Sequence, residues 1–159
     1  MEQIKQNQHL VDVTYRPIFS SLDGKVALGI IPTVTNLFVD RTWFPNPVRS
    51  GFELTPGKKL FWLASIPAAL QDDTDKIIEW GMSKGFDPAN YIEAFEWQRA
   101  LELRKSRPWI IAPGSHTFKK NVKYIAMLSF VYRQCYLDYV RYDAIWNKGY
   151  KCLFVKNVT

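Results

Sequence analysis

The sequence predicts an α+β fold in which a small antiparallel sheet packs on three or four helices. Three observations favour it: alternating apolar residues near the amino terminus, helix-like stretches between residues 58 and 147, and strand-like composition over 150–156. No internal repeat or long linker interrupts the sequence. Residues 1–159 are therefore predicted to form one domain, with a β-rich part at 10–40 and a helical part at 58–147.

The β-rich part is predicted to be a hairpin followed by a third strand. Val11 and Val13 alternate with polar residues, which is the period of a half-buried strand. The Asp-Gly pair at 23–24 favours a tight turn, because these residues tolerate the positive φ that hairpin turns require. Residues 25–31 are predicted to return as the second strand and 33–39 to form the third.

The helical part begins with two predicted helices of moderate length. Residues 58–71 are predicted to form a helix that Pro67 kinks or ends, since proline cannot continue the hydrogen-bonded ladder. Residues 75–84 are predicted to form the next helix, because acidic residues favour its start and Gly85 favours its end.

Two longer helices are predicted in the second half of the chain. One begins at Asp87-Pro88, where Asp can cap and Pro suits the first position, and runs to about residue 105. The other spans 118–147 and ends near Gly149. The segment 150–156 has strand composition and could pair with the amino-terminal hairpin.

The predicted helix 118–147 carries the candidate protein interface. Its aromatic residues recur at spacings of three, four or seven, which would form one continuous stripe on a helix. Such a stripe is either buried in the core or shared with a partner. Buried tyrosine hydroxyls need polar partners, so the tyrosine-rich end favours an interface. The residues assigned to it are Tyr132, Tyr136, Tyr139 and Trp146.

Charge is unevenly distributed along the chain, whose formal net charge is +6. Residues 1–98 contain 9 Lys/Arg and 12 Asp/Glu, whereas residues 99–159 contain 12 Lys/Arg and 3 Asp/Glu. This asymmetry indicates either a solvated basic face or a site for an acidic protein surface, a nucleic acid or anionic lipid. The residues assigned to this anionic-partner patch are Arg104, Lys105, Arg107, Lys119, Lys120 and Lys123.

Side chains able to support catalysis are few. Ser115 and His116 are adjacent, but a hydroxyl–imidazole pair also needs a third group that orients it, so they are interpreted as a turn serine and a surface histidine. Cys135 and Cys152 lack metal or redox spacing and are interpreted as buried free thiols. No catalytic residue and no cofactor is predicted.

Two groups of carboxylates are predicted to have structural roles. Asp72, Asp73 and Asp75 lack the spacing of a calcium loop and are interpreted as capping a helix. Glu93 and Glu96 lie three apart, with Arg99 three residues further, which is typical of a surface ion pair. No metal site is predicted.

The composition favours a binding or packing protein over an enzyme. Of the 159 residues, 24 are Phe, Tyr or Trp, which supply large contact areas in cores and interfaces. The sequence predicts a non-catalytic structural or adaptor subunit of a larger multiprotein assembly, either a virion or phage particle or an organellar or membrane complex. The alternative is a small basic nucleic-acid-binding protein, or an inhibitor of a nucleic-acid enzyme.

The location is predicted to be intracellular, organellar or virion. The polar start lacks a classical signal peptide. The longest uncharged stretches, at 26–39 and 60–71, are too short for a spanning helix and contain proline.

Overall fold

The computed structural model describes residues 7–13, 37–39, 57–101, 109–131 and 134–158. Within these residues the chain forms eight strands and two α-helices. The strands are β1 (Gln8–Val13), β2 (Leu37–Val39), β3 (Gly57–Ser65), β4 (Asp87–Pro88), β5 (Trp109–Lys119), β6 (Val122–Val131), β7 (Gln134–Arg141) and β8 (Tyr150–Asn157). The helices are α1 (Thr74–Ser83) and α2 (Tyr91–Leu101), and a single 3₁₀ turn occupies Ala68–Leu70.

All eight strands belong to one mixed sheet with the order β1-β3-β8-β5-β6-β7-β2, in which β4 pairs with β8. The pairs β5–β8 and β2–β7 are parallel, and the other pairs are antiparallel. The predicted fold, a small antiparallel sheet on three or four helices, is therefore wrong. The described part of the chain is mostly β, with only two α-helices.

Each face of the sheet carries its own core and its own helix. Ile77 of α1 packs in a cluster with Leu60, Ile111, Ile125, Cys152 and Phe154. Ala94 and Trp97 of α2 pack in a second cluster with Phe61, Leu63, Ile110, Leu128 and Leu153. Consecutive residues such as Leu60 and Phe61 enter different clusters, because side chains alternate across a strand. The central strands are thus buried on both faces.

The prediction of a helix over 58–71 is wrong because that segment contains β3. Burial on both faces gives β3 a run of apolar residues instead of the alternation of a half-buried strand. A short apolar run of this kind does not distinguish a strand from a buried helix by its period. Long-range pairing with β1 and β8 decides between them.

The prediction of a helix over 118–147 is also wrong, because this segment contains the end of β5, all of β6 and β7, and the following loop. β5 and β6 are joined by a two-residue turn at Lys120 and Asn121, both with positive φ (50° and 65°). The usual hairpin signal is an Asn-Gly or Asp-Gly pair. The Lys-Asn turn lacks glycine, so no strong local signal indicates a chain reversal here.

The predicted helix at 75–84 is confirmed as α1. Asp73 is its N-cap, and the Asp73 carboxylate accepts a hydrogen bond from the Lys76 N–H at 3.2 Å. This supports the capping interpretation of the acidic cluster. Gly85 ends the helix with φ of +87°, a conformation that side chains other than glycine rarely adopt.

Helix α2 begins later than predicted. Asp87-Pro88 forms the short strand β4 against β8, and the helix starts at Tyr91. Its first turn has a reciprocal capping box: the Asn90 Oδ1 accepts from the Glu93 N–H at 2.8 Å, and the Glu93 Oε1 accepts from the Asn90 N–H at 3.1 Å.

The outcome for the remaining predicted strands is mixed. β1 confirms a strand around Val11, and β8 confirms the strand at 150–156, but β8 pairs with β3, β4 and β5 and not with β1. β2 lies within the predicted third strand. The predicted turn at 23–24 and the strand at 25–31 lie outside the described residues.

Candidate interaction surfaces

The reactive side chains named from the sequence do not form a catalytic arrangement in the described structure. Ser115 is buried in β5, and its hydroxyl oxygen accepts a hydrogen bond from the Tyr91 N–H at 2.7 Å. His116 is exposed on the same strand, next to a register shift in the pairing with β6. Burial, together with the nearby charge of Lys123, lowers the pKa of His116.

Cys152 is a buried free thiol, as predicted. Burial raises its pKa well above the usual range, which makes the reactive thiolate scarce. The side chain of Cys135 lies outside the described part. Among the described residues, no three His, Cys, Asp or Glu side chains are close enough together to hold a metal ion.

The structure describes the side chains of two of the four residues assigned to the candidate protein interface. Tyr139 on β7 is buried in the cluster with α2. Trp146, in the loop before β8, is fully buried, and its Nε1–H donates to the Thr74 hydroxyl at 2.9 Å. Tyr132 and the side chain of Tyr136 lie outside the described part. The helical spacing that defined the stripe does not apply to β7, since a strand has a period of two.

The anionic-partner patch is described only in its second half. Arg104, Lys105 and Arg107 lie outside the described residues. Lys119 and Lys120 are exposed at the end of the β5–β6 hairpin, and Lys123 is half-buried, with its Nζ 4.0 Å from the centre of the Tyr142 ring. Phe118 is 63% exposed and pairs across the hairpin with Lys123. We call His116, Phe118, Lys119, Lys120 and Lys123 the hairpin tip.

A second surface, which the sequence analysis missed, lies at the opposite end of β5. Trp109 is 43% exposed although it is a large apolar side chain. Its ring lies 4.9 Å from the ring of Tyr150, which in turn lies 5.1 Å from the ring of buried Trp146. We call Trp109 and Tyr150 the Trp109 patch.

The Trp109 patch results from long-range pairing. Trp109 and Tyr150 are partners in the parallel ladder between β5 and β8, and the Trp109 N–H donates to the Gly149 carbonyl at 3.0 Å. These residues are 41 positions apart, and nothing in the local sequence indicates that they meet. The only local signal is an aromatic residue at the start of each strand.

A buried polar group lies beneath α2. Lys59 of β3 is 3% exposed, and its Nζ lies 2.6 Å from the Glu93 Oε2. Glu96 is also buried. The interpretation of Glu93 and Glu96 as members of a surface ion pair is therefore wrong, because α2 packs this side onto the sheet.

No protein-family model, curated protein or solved structure matches this chain. Among the described residues, no helix is long and apolar enough to cross a membrane.

Proposed function

We propose that this protein is a non-catalytic structural or adaptor subunit that holds its position in a larger multiprotein assembly through the Trp109 patch. The candidate hosts are a virion or phage particle and an organellar or membrane complex. The partner at the patch is another protein subunit whose surface has an apolar pocket for the indole of Trp109.

The observation that carries this proposal is an exposed tryptophan packed against Tyr150, whose ring packs in turn on buried Trp146. Trp109 is 43% exposed, contacts Tyr150 on one side and is fixed through its backbone to Gly149. Tryptophan and tyrosine are enriched among the residues that dominate binding energy at protein interfaces. An anchor that is already ordered loses less conformational entropy on binding.

The charges near the patch are compatible with an acidic rim on the partner. Lys148 is exposed just before Gly149, and Lys151 follows Tyr150. Charged rims chiefly affect the rate and specificity of association, while a buried aromatic anchor supplies the affinity. The apolar anchor is therefore the better target for a test.

The test is the native mass of the protein purified gently from its source, with each co-purifying component identified. We expect a complex of defined mass and stoichiometry. Trp109→Ser should weaken it by about 30-fold or more, as for truncation of an interface anchor. Met82→Ser, which also removes an exposed apolar side chain, should leave the complex intact.

Thermal unfolding of both variants shows that the comparison concerns binding and not folding. A wild-type protein that runs as an 18.5 kDa monomer without partners would contradict the proposal. Equal retention of partners by the Trp109 and Met82 variants would reject the patch as the contact.

A further inference from the structure

The β5–β6 hairpin extends beyond its neighbouring strands at the end remote from the Trp109 patch. β5 pairs with β8 only from Trp109 to Ile111, but it pairs with β6 as far as Lys119. On the other side of the hairpin, the ladder between β6 and β7 ends at Tyr124 and Arg141. Residues 118–122 therefore extend past these ladders, while His116 pairs with Ile125 inside the sheet and the Lys123 carbonyl accepts from the Tyr142 N–H at 3.0 Å.

The turn at the tip has a defined conformation. Lys120 and Asn121 have φ of 50° and 65°, the left-handed pair that a two-residue type I′ turn requires. Such turns match the twist of the two strands and fix their register. The backbone positions on either side of the turn are thus set before any partner binds.

The side chains of the tip combine an exposed aromatic ring with positive charge. Phe118 is 63% exposed, and the ring of His116 meets it edge-on with centres 6.1 Å apart. Lys123 lies directly across the hairpin from Phe118, while Lys119 and Lys120 follow Phe118 in the chain and are exposed at the turn. The sequence from 116 to 124 contains three lysines and no Asp or Glu. It lies within the half of the chain that has 12 basic and 3 acidic residues.

We propose that the hairpin tip binds single-stranded nucleic acid, with Phe118 stacking on an unpaired base and the lysines contacting the adjacent phosphates. An exposed aromatic ring between cations is the combination with which proteins bind single strands without reading sequence. A phenylalanine ring has no hydrogen-bonding group, so it favours a partner that offers a flat apolar face. Bases in a duplex do not offer that face, because they are already stacked and paired.

The size of the tip limits the site to a few nucleotides. One ring accommodates one base, and three lysines neutralise about three phosphates. Binding should therefore be weak, dependent on salt and largely independent of sequence. This inference does not depend on the proposed function, since the Trp109 patch lies at the other end of β5. Ile110 and Phe118 pair with residues only five positions apart on β6, so the two surfaces are separated by about 20 Å.

The test is fluorescence anisotropy of a labelled dT oligonucleotide, titrated with the protein at several salt concentrations. For three lysines on a single strand, the plot of log K against log salt concentration should have a slope of about −2. Lys119→Ala with Lys120→Ala should reduce the slope to about −0.7. Phe118→Ala should weaken binding by about 5- to 150-fold and leave the slope unchanged.

A matched control separates the tip from the general charge of the protein. Lys58→Ala with Lys84→Ala removes the same charge from exposed positions outside the tip and should keep the wild-type slope. Thermal unfolding of every variant checks that the fold is intact.

Three results would overturn the proposal. One is a Phe118→Ala protein that binds dT as tightly as wild type, because stacking would then contribute nothing. Another is a control double variant with the same reduced slope as the tip variant. The last is equal competition by polyglutamate, which would show that the tip accepts any polyanion, including an acidic protein surface.

Discussion

Lys59 and Glu93 form the most deeply buried charge pair described in the molecule. Both oxygens of the Glu93 carboxylate are engaged: Oε2 meets the Lys59 ammonium at 2.6 Å, and Oε1 accepts from the Asn90 N–H at the start of α2. One side chain therefore joins the helix cap to β3. A buried charge without a partner is costly. Removing one member of the pair should therefore destabilise the fold more than replacing both members with apolar side chains.

Glu93→Ala should lower the free energy of unfolding by about 3–5 kcal/mol, because it removes a carboxylate from the buried Lys59 ammonium and the acceptor from the Asn90 N–H. The double variant Lys59→Met with Glu93→Leu should recover most of this loss, because two apolar side chains of similar size need no ion partner. Urea denaturation measures both values. As a control, Asp143→Ala removes the exposed pair with Arg141 and should change the midpoint little. A double variant no more stable than Glu93→Ala would contradict this account.

Helix α1 packs directly on the ring of Phe154 in the sheet at Gly81. A Cβ atom placed on Gly81 would overlap the ring of Phe154 in β8. Phe154 is itself fully buried and stacks at 5.4 Å on Trp62 of β3, so its ring has little freedom to move. The absence of a side chain at position 81 therefore leaves the space that the Phe154 ring occupies.

Gly81→Ala should destabilise the protein by about 1–3 kcal/mol, although alanine favours an isolated helix by about 1 kcal/mol. The overlap with Phe154 outweighs the gain in helix propensity. Adding Phe154→Leu should relieve part of the strain, so the two changes together should cost less than the sum of their separate effects. Thermal denaturation of the single and double variants tests this. A more stable Gly81→Ala protein would show that the helix can shift outwards without cost.

The whole molecule is organised around a sheet that is covered on both faces. α1 and its cluster cover one face, and α2 with Tyr139 and the buried Lys59–Glu93 pair covers the other. The two candidate surfaces lie at opposite ends of β5, the strand that enters both clusters through Ile110 and Ile111. β5 therefore carries both surfaces on one strand, with the register shift between Ala112 and His116 lying between them.

Global stability should fall as the pH decreases below about 6.5. Burial lowers the pKa of both His9 and His116 below the ordinary value of 6.5, so the unfolded chain binds protons more readily than the folded one in that range. At His9 the Nδ1 atom is buried without a hydrogen-bond partner in the described structure, so protonation would add a donor with no acceptor.

The measurement is urea denaturation at pH 7.5 and pH 5.5. Wild type should be less stable at the lower pH, and His9→Gln or His116→Gln should each reduce the difference. The double variant should show the smallest dependence. If the stability of wild type is unchanged or increases at pH 5.5, protonation of His9 and His116 does not destabilise the fold.

Local sequence was enough to determine the elements whose signals are short-range. The boundaries of α1 follow from Asp73 at one end and Gly85 at the other, because capping and positive φ are properties of a few adjacent residues. The strand composition at the start of the chain and over 150–156 likewise predicted β1 and β8. The burial of Cys152 was also correctly inferred from its apolar neighbours.

Only the tertiary structure decided the fold class and the positions of the two surfaces. β3 and β6 are buried on both faces, so they lose the alternation that identifies a strand and have the apolar composition of a buried helix. The contact between Trp109 and Tyr150 depends on parallel pairing across 41 residues. Which strands pair depends on how well the side chains of several strands pack together across the sheet. No single segment of the sequence shows this.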